Sequence, residues 1–244
     1  FSAMALTSWN SALLLAPYYP CPWELKKTAS VSKRWDGGKW ICGLQELAIK
    51  SGPCTVYSLG SNWETSFEQA ISDATHGRCQ IHIYDPTVGQ NQARLNSWIA
   101  GLPKNMHFHS MGIKGGHALT PFPAITLGEA FAQNHHSAGI DMLKFDIESF
   151  EFELLETINW STIKIGTVIF ELHSNLIECR LPHVLTQSRL QWQFGRMEDA
   201  GYRLYSAEPV CTGCVGQVEL AFIHRDWDPS CGFSCTCTPG SVAS

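Results

Sequence analysis

Cys54-Thr55-Val56-Tyr57-Ser58-Leu59-Gly60-Ser61-Asn62 is the stretch on which the fold turns. Its β-branched and aromatic run predicts a buried strand, and Gly60-Ser61-Asn62 predicts the tight turn that stops it. Phe67, Ala70, Ile71 and Ala74 then recur at i, i+3, i+4 and i+7, one face of an amphipathic helix. A strand followed directly by a helix is the opening half of a βαβ unit.

The pattern repeats outward from there. Gln80–Tyr84 reads as a second strand ending on Asp85-Pro86, followed by a helix from about Gln90 to Ile99 and a weaker strand at Met106–Met111. A helix over 126–138 leads into a fourth strand, Asp141–Phe145, and Phe150–Ile158 is a short helix before the strand Thr167–Phe170. Val184–Ala200 is a helix closed by Gly201, in the position a C-cap glycine takes. Tyr202–Ser206 and Gln217–His224 have no helix between them and predict an antiparallel pair. The expectation is a doubly wound α/β fold: a mostly parallel sheet with a terminal antiparallel hairpin.

Composition narrows the function. The chain has 244 residues and a mass of 27.1 kDa, a length that suits one domain with an appendage. Lys+Arg 17 against Asp+Glu 22 gives −5, a poor balance for neutralising a nucleic-acid backbone. No apolar run approaches the roughly 18 residues of a membrane-spanning helix. Residues 1–35, with three prolines between Pro17 and Pro22, are expected to be an irregular arm. Residues 36–228 are then the catalytic domain and 229–244 a Cys-rich tail.

In doubly wound folds ligands sit beyond the carboxyl ends of the strands. The first strand ends on a turn with one glycine, so a G-x-G-x-x-G pyrophosphate fingerprint is absent and a dinucleotide is disfavoured. A nucleoside remains compatible, with Asp85 placed to accept ribose hydroxyls. The fourth strand runs out into Asp146-Ile147-Glu148 and the fifth into Glu171-Leu172-His173, each presenting two polar residues on one side. Four ionisable groups gathered at one edge suit a general base, a divalent-cation site or a structural ion-pair network. His109, His117, His135 and His136 fall in presumed loops on the same edge.

Val56–Asn62, Asp85-Pro86, Leu143–Glu148 and Ile169–His173, with Arg34-Trp35-Asp36-Gly37-Gly38-Lys39-Trp40-Ile41-Cys42 before the first strand, resemble the FkbM-like S-adenosylmethionine-dependent methyltransferases. The eukaryotic methyltransferase-like branch is the nearest in pattern, and the resemblance spans roughly residues 33–225. It implies a class I methyltransferase (Rossmann-like) fold with a seven-stranded sheet. It implies that S-adenosylmethionine lies with its methionine part at Gly60, Ser61 and Asn62, its ribose at Asp85 and its adenine near Met111 and Gly112. Gly37, Gly38, Lys39 and Ser58 join these contacts, and Asp146 borders the methyl group. Ser58 stands where the family pattern often has Asp, and Glu148-Ser149 where it often has Glu-Gly.

Methyl transfer to an alcohol needs a base or a metal. Asp146, Glu148, Glu171 and His173 are the candidate catalytic groups, with His173 the best base by intrinsic pKa. Asp146, Glu171 and His173 are also a candidate site for Mg2+ or Mn2+. Nine tryptophans and six tyrosines, among them Trp35, Trp40, Trp63 and Trp160 near the active edge or arm, offer stacking faces for sugar rings or serve as packing. The expected function is O-methylation of a sugar or glycoconjugate. The alternatives are a noncatalytic glycan-binding or assembly protein of the same fold, and a methyltransferase acting on another small molecule or a protein.

Ten cysteines are many for a reducing compartment. The start at Phe1, as in a processed chain, and the sequon Asn159-Trp160-Ser161 point the same way, to the secretory lumen (Golgi) or the exterior. Cys54 and Cys79 begin neighbouring strands and are placed for a bridge, while Cys21 and Cys42 would tie the arm to the domain. Cys211, Cys214, Cys231, Cys235 and Cys237 suit disulfides pinning hairpin and tail better than zinc, because the second cluster is C-x3-C-x-C.

Overall fold

The computed structural model describes residues 16–28, 38–89, 92–115, 122–148, 150–173, 187–210 and 217–233. In chain order the elements are β1 (Leu25–Lys27), β2 (Trp40–Cys42), α1 (Leu44–Ala48), β3 (Cys54–Leu59), α2 (Ser66–Ala74) and β4 (Cys79–Tyr84). Then come α3 (Gln92–Ala100), β5 (Met106–His109), β6 (Gly112–Ile113), β7 (Ala124–Ile125), α4 (Leu127–Gln133) and β8 (Ile140–Phe145). The chain closes with α5 (Glu151–Thr157), β9 (Ile165–His173), α6 (Gln187–Asp199), β10 (Tyr202–Pro209) and β11 (Gln217–His224).

The main sheet has seven strands in the order β10-β11-β9-β8-β3-β4-β5. Pairings from β5 through β9 are parallel, and β11 runs antiparallel to both β9 and β10. This is the doubly wound, mostly parallel sheet with a terminal antiparallel hairpin that the strand pattern predicts, and its seven strands are the number the resemblance implies. Every residue of β3 and β8 is buried, which is why neither shows the strict apolar–polar alternation of a half-solvated strand.

Successive residues of each strand point to opposite faces, so each strand supplies two core layers. Tyr57, Leu59, Leu143, Phe145, Val168 and Phe170 pack with Phe131 of α4, Leu154 and Leu155 of α5 and Met197 of α6. Val56, Ile81, Ile83, Met142 and Ile169 pack on the other face with Leu44 and Leu47 of α1 and Phe67 and Ile71 of α2. Burying each such side chain is worth about 1.5–3 kcal/mol, so a one-residue register slip would exchange both layers at once. α4 begins on a capping box in which Thr126 accepts from the Glu129 N–H at 3.2 Å and Glu129 accepts from the Thr126 N–H at 2.7 Å.

The arm is not wholly irregular. β1 pairs antiparallel with β2, and the N–H groups of Tyr18 and Tyr19 donate to the Leu204 carbonyl at 3.3 and 3.2 Å. The proline run is compatible with this because the strand begins only after Pro22. Cys21 and Cys42 form a disulfide that holds the arm to β2. Cys54 and Cys79, register partners at the starts of β3 and β4, form a second one with a Cα–Cα distance of 4.4 Å. Cys231 is disulfide-bonded as well, while Cys211, Cys214, Cys235 and Cys237 lie outside the described residues. Among the described residues no helix is long and apolar enough to cross a membrane.

Candidate active site

A cavity of about 710 Å³ opens over the carboxyl ends of β3, β4 and β8, where the fold rule places a ligand. Its rim is the turn after β3. Gly60 has φ +79°, and a Cβ there would stand 1.8 Å from the Asp146 carbonyl oxygen, so glycine alone lets the two strand ends approach. Asn62 (φ +43°) and Trp63 (φ +69°) are also left-handed. For a residue as large as Trp63 this costs on the order of 1–3 kcal/mol. Trp98, edge-on at 5.5 Å, and the Arg94 guanidinium, 4.1 Å from the ring centroid, hold it there.

Asp85 gives the turn its shape. One carboxylate oxygen accepts from the N–H groups of Ser61 and Asn62 at 2.8 and 2.6 Å, and from the Ser61 hydroxyl at 3.3 Å. The other accepts from the N–H and hydroxyl of Thr87 at 2.8 and 2.6 Å. Burial pushes this carboxyl upward, but the bonds from Thr87, Asn62 and Ser61 outweigh it and hold the group below the ordinary Asp value. Asp85 lines the cavity, yet its first task is to bind β4 to the turn of β3.

Beneath the turn lies a polar layer. Ser58 donates its hydroxyl to buried Glu68 of α2, and Lys144, the register partner of Ser58 on β8, donates to the Gly60 carbonyl at 2.7 Å. Glu68 and Lys144 both line the cavity, and Ser58 stands behind them. Away from the turn the wall is apolar: Pro86, Gly112, Ile113, Phe122 and Ala124 make a slot over the β6–β7 pair. Gly112 belongs to it, whereas Met111 packs against the core.

The carboxylate cluster stands on the β8 and β9 side. His173 Nδ1 is 3.2 Å from Glu151, and Nε2 is 3.3 Å from Glu171, 3.7 Å from Glu148 and 3.9 Å from Asp146. Burial alone would lower the imidazole pKa. The hydrogen bonds and charges of Glu151 and Glu171 overcome it and push the value up to about 11. His173 is therefore an imidazolium at neutral pH and not the free base its intrinsic pKa suggests. Lys39 of the segment before β2 pairs with Glu219 and lies 3.6 Å from Glu171. Burial pulls its ammonium down, but Glu219, Asp146 and Glu171 hold it above the ordinary lysine value.

Among the residues singled out by sequence, Gly38, Lys39, Gly60, Ser61, Asn62, Asp85, Gly112, Asp146 and Glu148 line the cavity. Glu171 and His173 stand behind Lys39, Asp146 and Glu148 rather than on the wall. Ligand atoms of Asp146, Glu151 and His173 come within 4.8 Å of one another, so Glu151 takes the place expected for Glu171 in a cation site. Gly37, Trp35, His117 and Ser149 lie outside the described residues. His109 is part of β5 and bonds His82 at 3.1 Å, and His136 meets the Tyr57 hydroxyl at 3.0 Å, both away from the cavity wall. Trp160 is core, with its indole N–H on the Leu155 carbonyl at 3.2 Å.

Glu68, Lys144 and Glu151 were missed. Lys144 left one signal, a lone charge inside the apolar run Met142-Leu143-Lys144-Phe145. Glu68 and Glu151 left none, since acidic residues in the first turn of a helix are ordinary.

A family profile described as Methyltransferase domain (Methyltransf_22) matches residues 9–224. Probable methyltransferase-like protein 24 of Homo sapiens is 32% identical over 139 residues, covering 51% of this chain and 34% of that protein. Its Rattus norvegicus counterpart is 29% identical over the same shares of each chain. The matched stretch thus spans about a third of the length of these curated relatives. Among solved structures, Aeropyrum pernix fibrillarin is 12% identical, with 82% of this chain and 88% of that chain covered and a TM-score of 0.42.

Proposed function

The chain belongs to that methyltransferase-domain family, and from this premise we propose that it transfers the methyl group of S-adenosylmethionine to a hydroxyl of a sugar or glycoconjugate in the secretory lumen. Kinship with FkbM-like enzymes, read from the strand-end motifs, is part of this proposal. The observation that carries it is one cavity joining the Gly60–Asn62 turn and an apolar slot to the carboxylates of Asp146 and Glu148.

The residues present suit the cofactor. A cavity of about 710 Å³ falls within the range of roughly 300–1,000 Å³ for cofactor pockets. The slot of Pro86, Gly112, Ile113, Phe122 and Ala124 would take a flat purine, and the turn held by Asp85 would take the amino-acid end. Bound there, S-adenosylmethionine supplies an electrophilic methyl group on a sulfonium.

The chain's own task is to align an oxygen behind that methyl and to remove its proton. Asp146 and Glu148 are the carboxylates of the predicted set that face the cavity, so the acceptor hydroxyl gives its proton to one of them. The imidazolium of His173 lies 3.9 Å from Asp146 and 3.7 Å from Glu148, and against its charge burial and the neighbouring acids Asp146, Glu151 and Glu171 hold the Glu148 carboxyl above the ordinary Glu value. The proposal extends to Mg2+ or Mn2+ held by Asp146, Glu151 and His173, which would bind only as His173 gives up a proton, so the cation and the imidazolium are alternative occupants of the cluster. The cation would polarise the acceptor oxygen. The Cys21–Cys42 and Cys54–Cys79 disulfides support the lumenal address.

The test is transfer of isotopically labelled methyl from the cofactor onto a panel of glycans, with and without EDTA, beside calorimetry with S-adenosylhomocysteine. Labelling of a glycan carries the proposal, and its loss in EDTA carries the metal. Cofactor binding with no labelled glycan would overturn the acceptor class. No cofactor binding would leave a noncatalytic protein of this fold.

A further inference from the structure

The β5 edge of the sheet carries a cluster of histidines that the chemistry above does not use. His82 of β4 is its centre: it is 8% exposed, and its register partners are Tyr57 on β3 and His107 on β5. Its Nδ1 lies 3.1 Å from Nε2 of His109, and its ring centroid is 5.0 Å from those of His107 and His136. The other titratable groups facing the cluster are Tyr57, whose hydroxyl meets His136 at 3.0 Å, Tyr84, stacked on His109 at 4.2 Å, and His135 beside His136. Gln80 bonds His107 at 2.8 Å, and Asn134 donates to the hydroxyls of Tyr57 and Tyr84 at 3.0 and 2.7 Å. The charges that act on His82, His109 and His136 are those of other histidines, and no carboxylate among the described residues offsets them. Burial and these neighbours hold the His82 imidazole down at about 3 and lower those of His109 and His136, so the three rings are neutral at pH 7.

β5 depends most on this cluster, being a four-residue edge strand bonded to β4 alone. We propose that His82, His107, His109 and His136 form an acid-operated latch that holds β5 and the segment after α4 on the sheet while neutral and releases both when protons charge it. Imidazolium rings at these spacings repel one another, and opening returns each of them to water. The latch reaches the cavity by two contacts. Tyr84, stacked on His109, lines the cavity, and the Asp85 N–H donates to the His109 carbonyl at 3.1 Å. Release of β5 therefore frees the residue that binds β4 to the turn of β3, and the ligand site loosens in acid. Because the folded pKa values lie below the unfolded value near 6.5, the latch is closed above about pH 6.5 and weakens as the pH falls toward them. The inference rests on the cofactor reading above, because cofactor binding is the property that acid would control.

The experiment follows amide hydrogen exchange of the full chain at pH 7.5 and pH 5, corrected for the intrinsic effect of pH, beside calorimetry with S-adenosylhomocysteine. Wild type is compared with the double variant His82→Gln, His136→Gln. In wild type the Ile81 and Asp85 amides, which donate to Asn105 and His109 across the β4–β5 seam, should lose protection about tenfold or more at pH 5. One histidine at about 3 when folded and about 6.5 when free already allows roughly thirtyfold there. Affinity for S-adenosylhomocysteine should fall with the protection, and the double variant should hold both within about threefold. Equal wild-type protection at the two pH values would overturn the latch. So would an acid loss that the double variant keeps in full, because Glu148 or another cavity group would then be its source. Opening of the seam with no loss of affinity would overturn the control of the cavity. Should the double variant not fold, NMR of the wild-type rings decides: a His82 imidazole that titrates near 6.5 while the seam stays protected overturns the latch. Failure of wild type to bind S-adenosylhomocysteine at pH 7.5 would overturn the cofactor reading instead, and exchange would still decide the latch.

Discussion

His173 Nδ1 lies 3.2 Å from the Glu151 carboxylate, and the same ring presents Nε2 to Glu171 at 3.3 Å. One imidazole thus bridges two buried acids on adjacent elements, α5 and β9, and is the positive centre of the carboxylate cluster. Its folded pKa of about 11 lies above the unfolded value near 6.5, so its stabilising effect is complete below about pH 6.5. That effect fades as the pH rises through about 11. NMR of the ring should show both nitrogens protonated at pH 8. His173→Gln should cost most stability at pH 6 and progressively less toward pH 10. A ring that titrates near 6.5 in the folded protein would contradict this.

Asp85→Ala should destabilise the protein and abolish cofactor binding together. The change strands the N–H groups of Ser61, Asn62 and Thr87, at about 1–3 kcal/mol for each that water does not reach. Because the folded pKa of Asp85 is depressed, its contribution is present above about pH 3.9 and is lost as the pH falls through the folded value. Chemical denaturation of wild type and variant at pH 7 and at low pH measures both effects, and the difference between them should shrink in acid.

Gly60→Ala should fail where Gly128→Ala succeeds. At Gly60 the new methyl meets the Asp146 carbonyl at 1.8 Å on a backbone of φ +79°, and β3 must part from β8. At Gly128, within α4, a Cβ meets nothing within 4 Å, and alanine should add up to about 1 kcal/mol through helix propensity. Thermal melts and S-adenosylhomocysteine titrations of the pair separate strain at the turn from any general effect of removing glycine.

Replacing both Cys54 and Cys79 with alanine should lower stability by about 3.5 kcal/mol on the loop-entropy relation for a separation of 25 residues. Cofactor affinity should be unchanged, because the bridge joins the first residues of β3 and β4 and the cavity lies over their last ones. Intact mass under non-reducing conditions tests the bridges directly. Four free thiols or fewer are expected among ten cysteines, from the Cys21–Cys42 and Cys54–Cys79 disulfides and a third that holds Cys231.

Periodicity was sufficient for the central sheet. β3 and β11 begin and end where the sequence predicts, since strands covered on both faces read as stretches dense in apolar residues. β1, β2, β6 and β7, of two or three residues each, are too short for any period to register. They exist because neighbouring backbone offers partners, which is a tertiary fact. In the site, Gly60–Asn62, Asp85 and Asp146 were legible because a strand's end can be read from where its pattern stops, and ligands lie beyond strand ends.

Charge was not legible in the same way. Sequence named His173 as a base from its intrinsic pKa, and folding surrounds it with carboxylates from α5, β8 and β9 that keep its proton. Glu68 carries no mark in the sequence, and the packing of α2 on the sheet brings it to the Ser58 hydroxyl and onto the cavity wall. A strand or a turn depends on residues adjacent in the chain, so linear order suffices to place it. A pKa or a hydrogen-bonded pair depends on distances between residues far apart in sequence, and the packing of helices on the sheet sets those distances.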